Sequence, residues 1–422
     1  MKRISFFLLF TFISISAHAR IYIPVDQASE KPFPIAIADL VGSKGDDVAN
    51  IIRNDLDLSG YFNVIDPHVF EVRAKQEGIT LESIRFSYWN VLETQALVKG
   101  SVEAKRGEYD ITLRLFDPST PSLLVEKKYT VTKKNLRMAA HRFSDEIMAA
   151  LTGIPGPFTT QITFTASDRK NTKNIYLMDF DGENMSRVTN MKESSFASSL
   201  SPNGNEIVFT SFQGGQANIY GIKSNGSHLQ KLTSSRGSKI TPTWSPDGNS
   251  ILYSSAESGE ADLYRMSSKG KNVKRIAAIP GIDLAPSFSP DGQEIVFASE
   301  QAGKLHLFKM PSTGGASTRL TYVGYQNDMP AWSPRADKIA FCGRDLGAFD
   351  IFIMNPDGSN IQRLTLGTGD NEHPRFSPDG RLITFSSTRH GGSAIYIMRT
   401  DGSNQRKVSK GNGILPSWGP RR

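Results

Sequence analysis

A repeat of 44 residues occupies the second part of this 422-residue chain. Ser-Pro pairs begin at Ser201, Ser245, Ser289, Ser333 and Ser377, each 44 residues after the one before. The same spacing separates the apolar runs centred on Ile175, Ile219, Leu263, Leu307 and Ile351, and Ile395 continues it. Each repeat holds four short runs rich in β-branched and aromatic residues, and a period of about 40 to 45 residues with this content is typical of β-propeller blades.

The order of the runs predicts how the ring closes. We name the strands of a repeat A to D, with A placed just before the Ser-Pro pair. The repeats begin at a B strand, Gln161–Ala166, and end at an A strand, Ile414–Pro420. The last A strand can pair with the first B strand, so closure leaves no unpaired edge. The sequence therefore predicts a mainly β fold, a six-bladed β-propeller preceded by a small α/β domain.

The N-terminal part lacks the repeat and divides into segments of different character. A basic start, a short apolar run and the Ala17-His18-Ala19 site predict a signal peptide over residues 1–19, and hence export. Residues 20–34 are interpreted as an N-terminal arm. Helix patterns at 46–60 and 135–151 and a hairpin at Arg106-Gly107 predict an α/β domain over 35–152. A linker at 153–158 and the propeller over 159–422 are predicted to follow. No second long apolar run occurs, so the protein is not expected to span a membrane.

The net charge of +7 does not predict nucleic-acid binding. Residues 20–152 hold 17 Lys and Arg against 19 Asp and Glu, whereas residues 153–422 hold 30 against 23. The excess recurs once per repeat, at Arg187, Lys231, Arg275, Arg319, Arg363 and Lys407. A nucleic-acid site needs clustered positive charge, so this even spread argues against one. The single cysteine, Cys342, lies in a strand pattern and is interpreted as buried and unreactive.

The two ends of the predicted propeller differ in how much their loops vary. The Ser-Pro-Asp-Gly turns between strands A and B and the Asp-Gly turns between C and D fall on one face, the turn face. The D-to-A crossovers and the B–C loops fall on the opposite face, the crossover face. The crossover sequences differ from repeat to repeat, as in SSRGSKIT, AIPGIDLA, YVGYQNDM and LGTGDNEH. Variable loops on a constant scaffold indicate that binding belongs to the crossover face.

The sequence carries no catalytic or cofactor signature. It lacks the G-x-S-x-G, H-E-x-x-H, C-x-x-C, P-loop and dinucleotide-binding patterns, so no cofactor, metal or enzymatic activity is predicted. Two alternatives stay open. One is an exported metal-dependent hydrolase or lactonase that uses Asp283, Asp328 and Glu372 at the mouth of the propeller channel. The other is a carbohydrate-binding module that uses Tyr322 and Tyr325.

The signal peptide, the small α/β domain and six repeats of the form SPDG…IxF…IYxM…DG…RLT resemble the TolB family, the periplasmic components of the Tol–Pal system of Gram-negative bacteria. The resemblance covers essentially the whole mature chain. It implies a non-catalytic, monomeric periplasmic protein that binds the lipoprotein Pal through the crossover face and TolA through the N-terminal arm. Roles in outer-membrane integrity, cell division and colicin import follow from the same resemblance, as do contacts with other Tol and outer-membrane proteins.

The resemblance also implies which residues make these contacts. Carried over by position, Pal binding falls just before the prolines of the A strands, on Ser238, Lys239, Thr241, Asp283, Leu284, Asn327, Asp328, Glu372 and His373. The arm that is expected to bind TolA consists of Arg20, Ile21, Tyr22, Ile23, Pro24, Val25 and Asp26.

Overall fold

A computed structural model describes residues 32–168, 170–277, 280–345, 347–367 and 369–422. The predicted signal peptide and the arm residues 20–26 lie outside these ranges. The described part contains a five-stranded mixed sheet with helices, followed by six four-stranded antiparallel sheets. The predicted fold class, a six-bladed propeller after a small α/β domain, is confirmed. No helix in the described ranges is both long and apolar enough to cross a membrane.

The first domain is built on a sheet with strand order β2-β1-β3-β4-β5. Its elements are β1 (Phe33–Ile37), α1 (Gly45–Ser59), β2 (Phe62–Val64), α2 (Glu71–Lys75), α3 (Phe86–Val91), β3 (Ala96–Lys105), β4 (Glu108–Asp117), β5 (Ser122–Thr132) and α4 (Leu136–Thr152). Strand β1 pairs in parallel with β2 and β3, whereas β3, β4 and β5 are antiparallel. Short 3₁₀ turns occur at Pro67–Val69, Leu81–Ser83 and Lys133–Asn135.

Local chemistry explains where these elements begin and end. Asp46 and Asp47 lie in the first turn of α1, where negative charge interacts favourably with the helix dipole. Gly60 ends the helix with a φ of 71°, a conformation that costs glycine little. Arg106 and Gly107 both have positive φ, as a two-residue hairpin with the right-handed twist of its strands requires. The sequence-predicted hairpin at this position is therefore present.

The sheet buries both of its faces. Helices α1 and α4 cover one face, and residues such as Ile52, Leu56 and Phe143 form the core there. Helices α2 and α3 cover the other face, where Trp89 packs against Phe70 with a distance of 5.1 Å between ring centroids. The sequence patterns predicted α1 and α4 but assigned no elements to the region of α2 and α3.

Twenty-four strands form the propeller. Their bounds are β6 (Gln161–Ser167), β7 (Lys173–Asp179), β8 (Ser186–Arg187), β9 (Ser195–Leu200), β10 (Glu206–Ser211), β11 (Asn218–Lys223), β12 (Gln230–Lys231), β13 (Lys239–Trp244), β14 (Ser250–Ser255), β15 (Asp262–Ser267), β16 (Lys274–Arg275), β17 (Asp283–Phe288), β18 (Glu294–Ser299), β19 (His306–Pro311), β20 (Thr318–Arg319), β21 (Gln326–Trp332), β22 (Ile339–Arg344), β23 (Asp350–Met354), β24 (Gln362–Arg363), β25 (Asn371–Phe376), β26 (Leu382–Ser387), β27 (Ala394–Arg399), β28 (Arg406–Lys407) and β29 (Ile414–Trp418).

The ring closes as the sequence predicts. Blades 1 to 5 consist of β9–β12, β13–β16, β17–β20, β21–β24 and β25–β28. Blade 6 combines the C-terminal strand β29 with β6, β7 and β8 in the order β29-β6-β7-β8. Trp418 pairs with Ile162 across this junction, and the indole Nε1 of Trp418 donates to Thr160 Oγ1 at 2.7 Å.

The two domains share part of one hydrophobic core. Phe158 from the predicted linker and Phe180 from the C–D turn of blade 6 are completely buried, with 5.3 Å between their ring centroids. Both belong to the core that includes Ile147 and Met148 of α4. A polar contact accompanies this packing, since Arg399 of blade 5 donates to the backbone carbonyl of Gly60 at 3.3 Å. The α/β domain therefore packs on the turn face of the propeller.

Candidate functional site

The Ser-Pro-Asp-Gly segments form tight turns that are stabilised from within. In blade 2, Asp247 Oδ1 accepts hydrogen bonds from Ser245 Oγ at 2.5 Å and from the Asn249 backbone N–H at 3.0 Å. Gly248 has a φ of 70°. Blade 4 lacks the Asp-Gly pair, yet Ser333 Oγ donates to Asp337 Oδ1 at 2.7 Å and keeps the turn. These segments reverse the chain, and their polar groups are used in doing so.

Three of the residues predicted to contact Pal are buried in the crossover face. Lys239, Asp283 and Asn327 occupy the same repeat position, the first residue or the second of strand A, and their side chains are inaccessible or nearly so. Lys239 Nζ donates to the carbonyls of Ser235, Arg236 and Gly237 at 2.5 to 2.8 Å. Its ammonium group therefore holds the crossover loop in shape from inside.

Asn327 stabilises the crossover before blade 4 from inside, as Lys239 does for the crossover before blade 2. Asp283, which begins blade 3, does not stabilise its crossover in this way. Asn327 Nδ2 donates to the Val323 carbonyl at 2.8 Å and so fixes the loop that precedes blade 4. Asp283 carries only acceptors, and neither of its buried carboxylate oxygens has a hydrogen-bond partner. Burial raises the pKa of Asp283 to about 6. All three side chains lie beneath the surface of the crossover loops. A protein bound at this face would therefore contact the loops rather than these side chains.

The remaining predicted residues surround a bulge that every A strand contains. Ser238 is exposed, and Thr241, Leu284, Asp328, Glu372 and His373 are half-buried. The bulge residues have φ between 50° and 58° in all six blades, and they are Ala197, Thr241, Ala285, Met329, His373 and Leu415. A bulge bends the strand at the rim of the channel. Because none of these positions is glycine, no residue type indicates a positive φ there.

Blades 4 and 5 bring the predicted Asp328, Glu372 and His373 into one neighbourhood with Cys342. Cys342 is buried, as predicted, and its Sγ donates to the Asp328 carbonyl at 3.4 Å. Burial raises the pKa of its thiol well above the usual range, so the thiol is protonated and unreactive at neutral pH. Burial, followed by the charge of Arg375, lowers the pKa of His373 to about 3. Burial also raises the pKa of Asp328 and Glu372.

Among the residues that the structure describes, the most exposed apolar side chains of the crossover face come from the loops before blades 4 and 5. Tyr322 is 70% exposed and Leu366 is 72% exposed, and Val323 and Tyr325 lie beside them in sequence. Lys304 Nζ lies 3.8 Å from the centroid of the Tyr325 ring. We use the name apolar patch for Tyr322, Val323 and Tyr325 together with Leu366, which occupies in the next crossover the repeat position of Tyr322. The sequence pattern indicates the two tyrosines as an aromatic pair but indicates neither Val323 nor Leu366.

Comparison with protein families assigns both domains. Residues 148–422 match the model described as TolB beta propeller domain, and residues 21–121 match the model described as TolB amino-terminal domain. The chain belongs to the TolB family. This result confirms the resemblance that the repeats and the domain order indicated.

Individual TolB proteins are similar to parts or to most of this chain. The Tol-Pal system protein TolB of Syntrophotalea carbinolica is 33% identical over 43% of this chain, and that of Geobacter sulfurreducens is 38% identical over 38%. The chain spans 40% and 36% of the lengths of these two relatives. The crystal structure of TolB from Acinetobacter baumannii superimposes with a TM-score of 0.83 at 26% identity, covering 93% of this chain and 97% of that one.

In this TolB-family chain, the carboxylates named for a hydrolase do not converge as metal ligands. Among the described residues, the one group of three potential ligands is Asp55, His141 and Asp181, whose ligand atoms lie within 4.8 Å of one another. That group lies at the domain junction, away from the channel mouth. Arg137 donates to Asp181 Oδ2 at 2.6 Å and lies 3.2 Å from His141 Nε2. A guanidinium group thus already supplies the positive charge that a metal ion would bring.

Proposed function

We propose that this protein is a non-catalytic scaffold of the Tol–Pal envelope system, located in the periplasm. It binds Pal through the crossover face of the propeller and TolA through the arm at residues 20–26. In this role it supports outer-membrane integrity and envelope constriction during division. Membership of the TolB family and relatives named Tol-Pal system protein TolB support the proposal. The choice of Pal and TolA as partners rests on the family resemblance.

The observation that carries the proposal is the apolar patch on the crossover face. Tyrosine is enriched among the residues that dominate protein–protein binding energy, because it buries a large ring at a small entropic cost. Lys304 lies against the ring of Tyr325, and Arg319 lies with Cζ 4.8 Å from the centroid of the Tyr322 ring. The patch therefore combines apolar area with positive charge at its edge. Ser238 and the half-buried bulge residues extend the proposed contact toward the channel.

The two faces offer matched leucines for a test of the Pal site. Leu366 belongs to the crossover face, whereas Leu229 precedes β12 on the turn face and is 50% exposed. Binding of purified Pal to the chain from residue 20 onward would be measured by isothermal titration calorimetry. We expect Leu366→Ala and Tyr322→Ala each to weaken binding by about 1.4 kcal/mol or more, which is about tenfold in Kd. Leu229→Ala should leave the affinity unchanged.

The possible outcomes distinguish a wrong binding face from a wrong choice of partner. Equal effects of Leu366→Ala and Leu229→Ala would place Pal elsewhere on the molecule. If the unsubstituted chain does not bind Pal at all, the assignment of the partner is wrong.

The arm is tested with a truncated chain. A chain that starts at residue 33 should keep Pal binding and lose binding to purified TolA. Retention of TolA binding by this truncation would contradict the proposed role of residues 20–26.

A further inference from the structure

The axis of the propeller contains a cavity of about 180 Å³. Strand A of every blade lines it, from the bulge residues near the crossover face to the aromatic residues that end these strands. The volume is sufficient for several water molecules or a small ion. Most of the lining consists of serine, threonine, proline and apolar side chains. Neither aspartate nor glutamate is among the residues that line it.

Arg375 is the cationic residue that lines this cavity. It follows the bulge of β25, and its NH1 group donates to the neighbouring Pro374 carbonyl at 2.8 Å. No carboxylate of the described residues lies within ion-pair distance of its guanidinium group. Burial lowers the pKa of Arg375, and the charge of Asp328 offsets part of this effect through space. The guanidinium still carries its proton at neutral pH, since arginine is effectively always charged in proteins.

Two uncharged donors of the same lining lack hydrogen-bond partners. Ser198 in blade 1 is only 7% exposed, and its Oγ makes no hydrogen bond. The indole Nε1 of Trp332 in blade 4 is buried without an acceptor, although Trp244 Nε1 and Trp418 Nε1 each donate one hydrogen bond. Buried donors without partners are rare because each costs free energy. The hydroxyl of Ser198 can turn toward the cavity by rotation about χ1.

We propose that the channel binds a small oxyanion, a phosphate or carboxylate group, with Arg375 as its main ligand. A guanidinium group offers a planar fork of N–H donors that matches such groups. The other titratable residue of the lining, His373, is neutral and brings no competing charge. Ser198 and Trp332 then supply donors from the blades around it. This site goes beyond the proposed scaffold function, because it is a ligand site in the channel rather than a protein contact on the face.

The site makes a prediction about stability in the absence of the anion. An isolated buried charge is costly, so replacing Arg375 by an uncharged residue of similar length should stabilise the anion-free protein. We expect Arg375→Gln to raise the melting temperature in sodium chloride buffer. If Asp328 already neutralises Arg375, the same substitution will lower the melting temperature, and the proposal is wrong.

Direct binding is tested with inorganic phosphate. Equilibrium dialysis should show one phosphate per wild-type chain, and the melting temperature should rise with phosphate at constant ionic strength. Arg375→Gln should weaken phosphate binding by roughly tenfold or more, and Ser198→Ala by less. The control is Lys407→Gln, which removes one positive charge from the exposed strand β28 and should change nothing. Absence of phosphate and acetate binding to the wild type, or equal loss in Lys407→Gln, would overturn the proposal.

A parallel titration with acetate distinguishes the two possible sources of the oxyanion. Tighter binding of phosphate than of acetate would identify a free phosphate as the ligand class. Binding of acetate at least as tight as that of phosphate would identify a carboxylate, as an acidic side chain of a bound protein would present. Failure of Pal to bind the crossover face would leave both titrations unchanged, so the two proposals can fail separately.

Discussion

His141 Nδ1 lies 2.8 Å from Asp55 Oδ2, and both side chains are almost completely buried between α4 and α1. Burial lowers the pKa of His141, but the charge of Asp55 and the hydrogen bond to it raise the pKa by more, so the net shift is upward. Arg137 connects this pair to Asp181 in the C–D turn of blade 6. The network therefore joins the two helices and the propeller through buried charges.

Breaking this pair on one side should be much more costly than replacing both partners. Asp55→Ala leaves the buried ring of His141 and the neighbouring Arg137 without the Asp55 carboxylate, and we expect a loss of about 3–5 kcal/mol in the free energy of unfolding. The double variant Asp55→Leu/His141→Phe fills the same space with apolar groups and should cost far less. Urea unfolding followed by circular dichroism measures both variants. A single variant no less stable than the double one would show that His141 does not need the Asp55 carboxylate as a partner.

The stability of the domain junction should depend on pH through Asp145. Its carboxylate accepts hydrogen bonds from the Phe158 backbone N–H at 2.9 Å and from Thr159 Oγ1 at 2.7 Å. Burial outweighs these bonds and raises the pKa of Asp145 to about 7 from 3.8. The folded protein thus binds this proton more tightly than the unfolded chain does. The resulting stability is fully present below about pH 4 and is lost as the pH rises to about 7.

Comparison with Asp145→Asn isolates this titration. We expect the stability of the wild type relative to the variant to fall between about pH 4 and pH 7, by up to about 1.4 kcal/mol per pH unit, and to level off above pH 7. Other titrating groups, His141 among them, are present in both proteins and cancel in the difference. A difference that rises with pH would mean that the pKa of Asp145 is lowered in the folded state.

The parts of the fold that could be predicted from the sequence are those whose turns and strands are indicated by nearby residues. Every repeat has a turn at a fixed position, and a period of 44 residues places the strands without knowledge of their neighbours. The hairpin at Arg106 and Gly107 was predictable for the same local reason. Helices α2 and α3 are short and are held by packing around Trp89, so no period of apolar residues indicated them.

The sequence distinguishes the crossover face from the turn face, but it does not show how the individual residues of the crossover face are placed. Lys239 lies next to a loop in the sequence, which favours an exposed charge. In the structure its ammonium group is buried and donates to three carbonyls of the crossover. Those carbonyls converge only when the loop is folded, and no local pattern encodes their positions. Arg375 follows a proline in an A strand, and only the assembled ring shows that its side chain lines the axial cavity. The folded shape of the crossover loop decides the first case, and the assembly of the ring decides the second.

The bulge in β13 should make glycine tolerable at one threonine and costly at another. Thr241 has a φ of 51°, which a β-branched residue adopts only under strain, whereas Thr243 in the same strand has no positive φ. Thr241→Gly relieves the backbone strain of the folded state, but glycine also loses more conformational entropy on folding than threonine does. The two effects on the free energy of unfolding should nearly cancel. Thr243→Gly relieves no strain, so the entropy loss is not offset and the free energy of unfolding should fall by about 1 kcal/mol. Thermal unfolding of the two variants measures the contrast. Equal costs would mean that the bulge is not strained.

Closure by β29 should determine whether the propeller stays soluble. Without residues 414–422, strand β6 becomes an exposed edge, and unpaired edges associate with other chains. The truncated chain also loses Arg422, whose guanidinium lies 2.8 Å from Asp179. We expect size-exclusion chromatography to show large aggregates of the truncated chain.

A point variant of the same strand separates closure from the loss of single contacts. Trp418→Phe removes the hydrogen bond to Thr160 and leaves the backbone pairing with Ile162 in place. It should therefore elute at the same volume as the wild type and lose about 1 kcal/mol of stability, the usual value of one net hydrogen bond. If the truncated chain elutes at a volume that fits its own mass and melts cooperatively, five blades and three strands suffice without closure. If Trp418→Phe aggregates as the truncation does, the side chain rather than the strand pairing protects the edge.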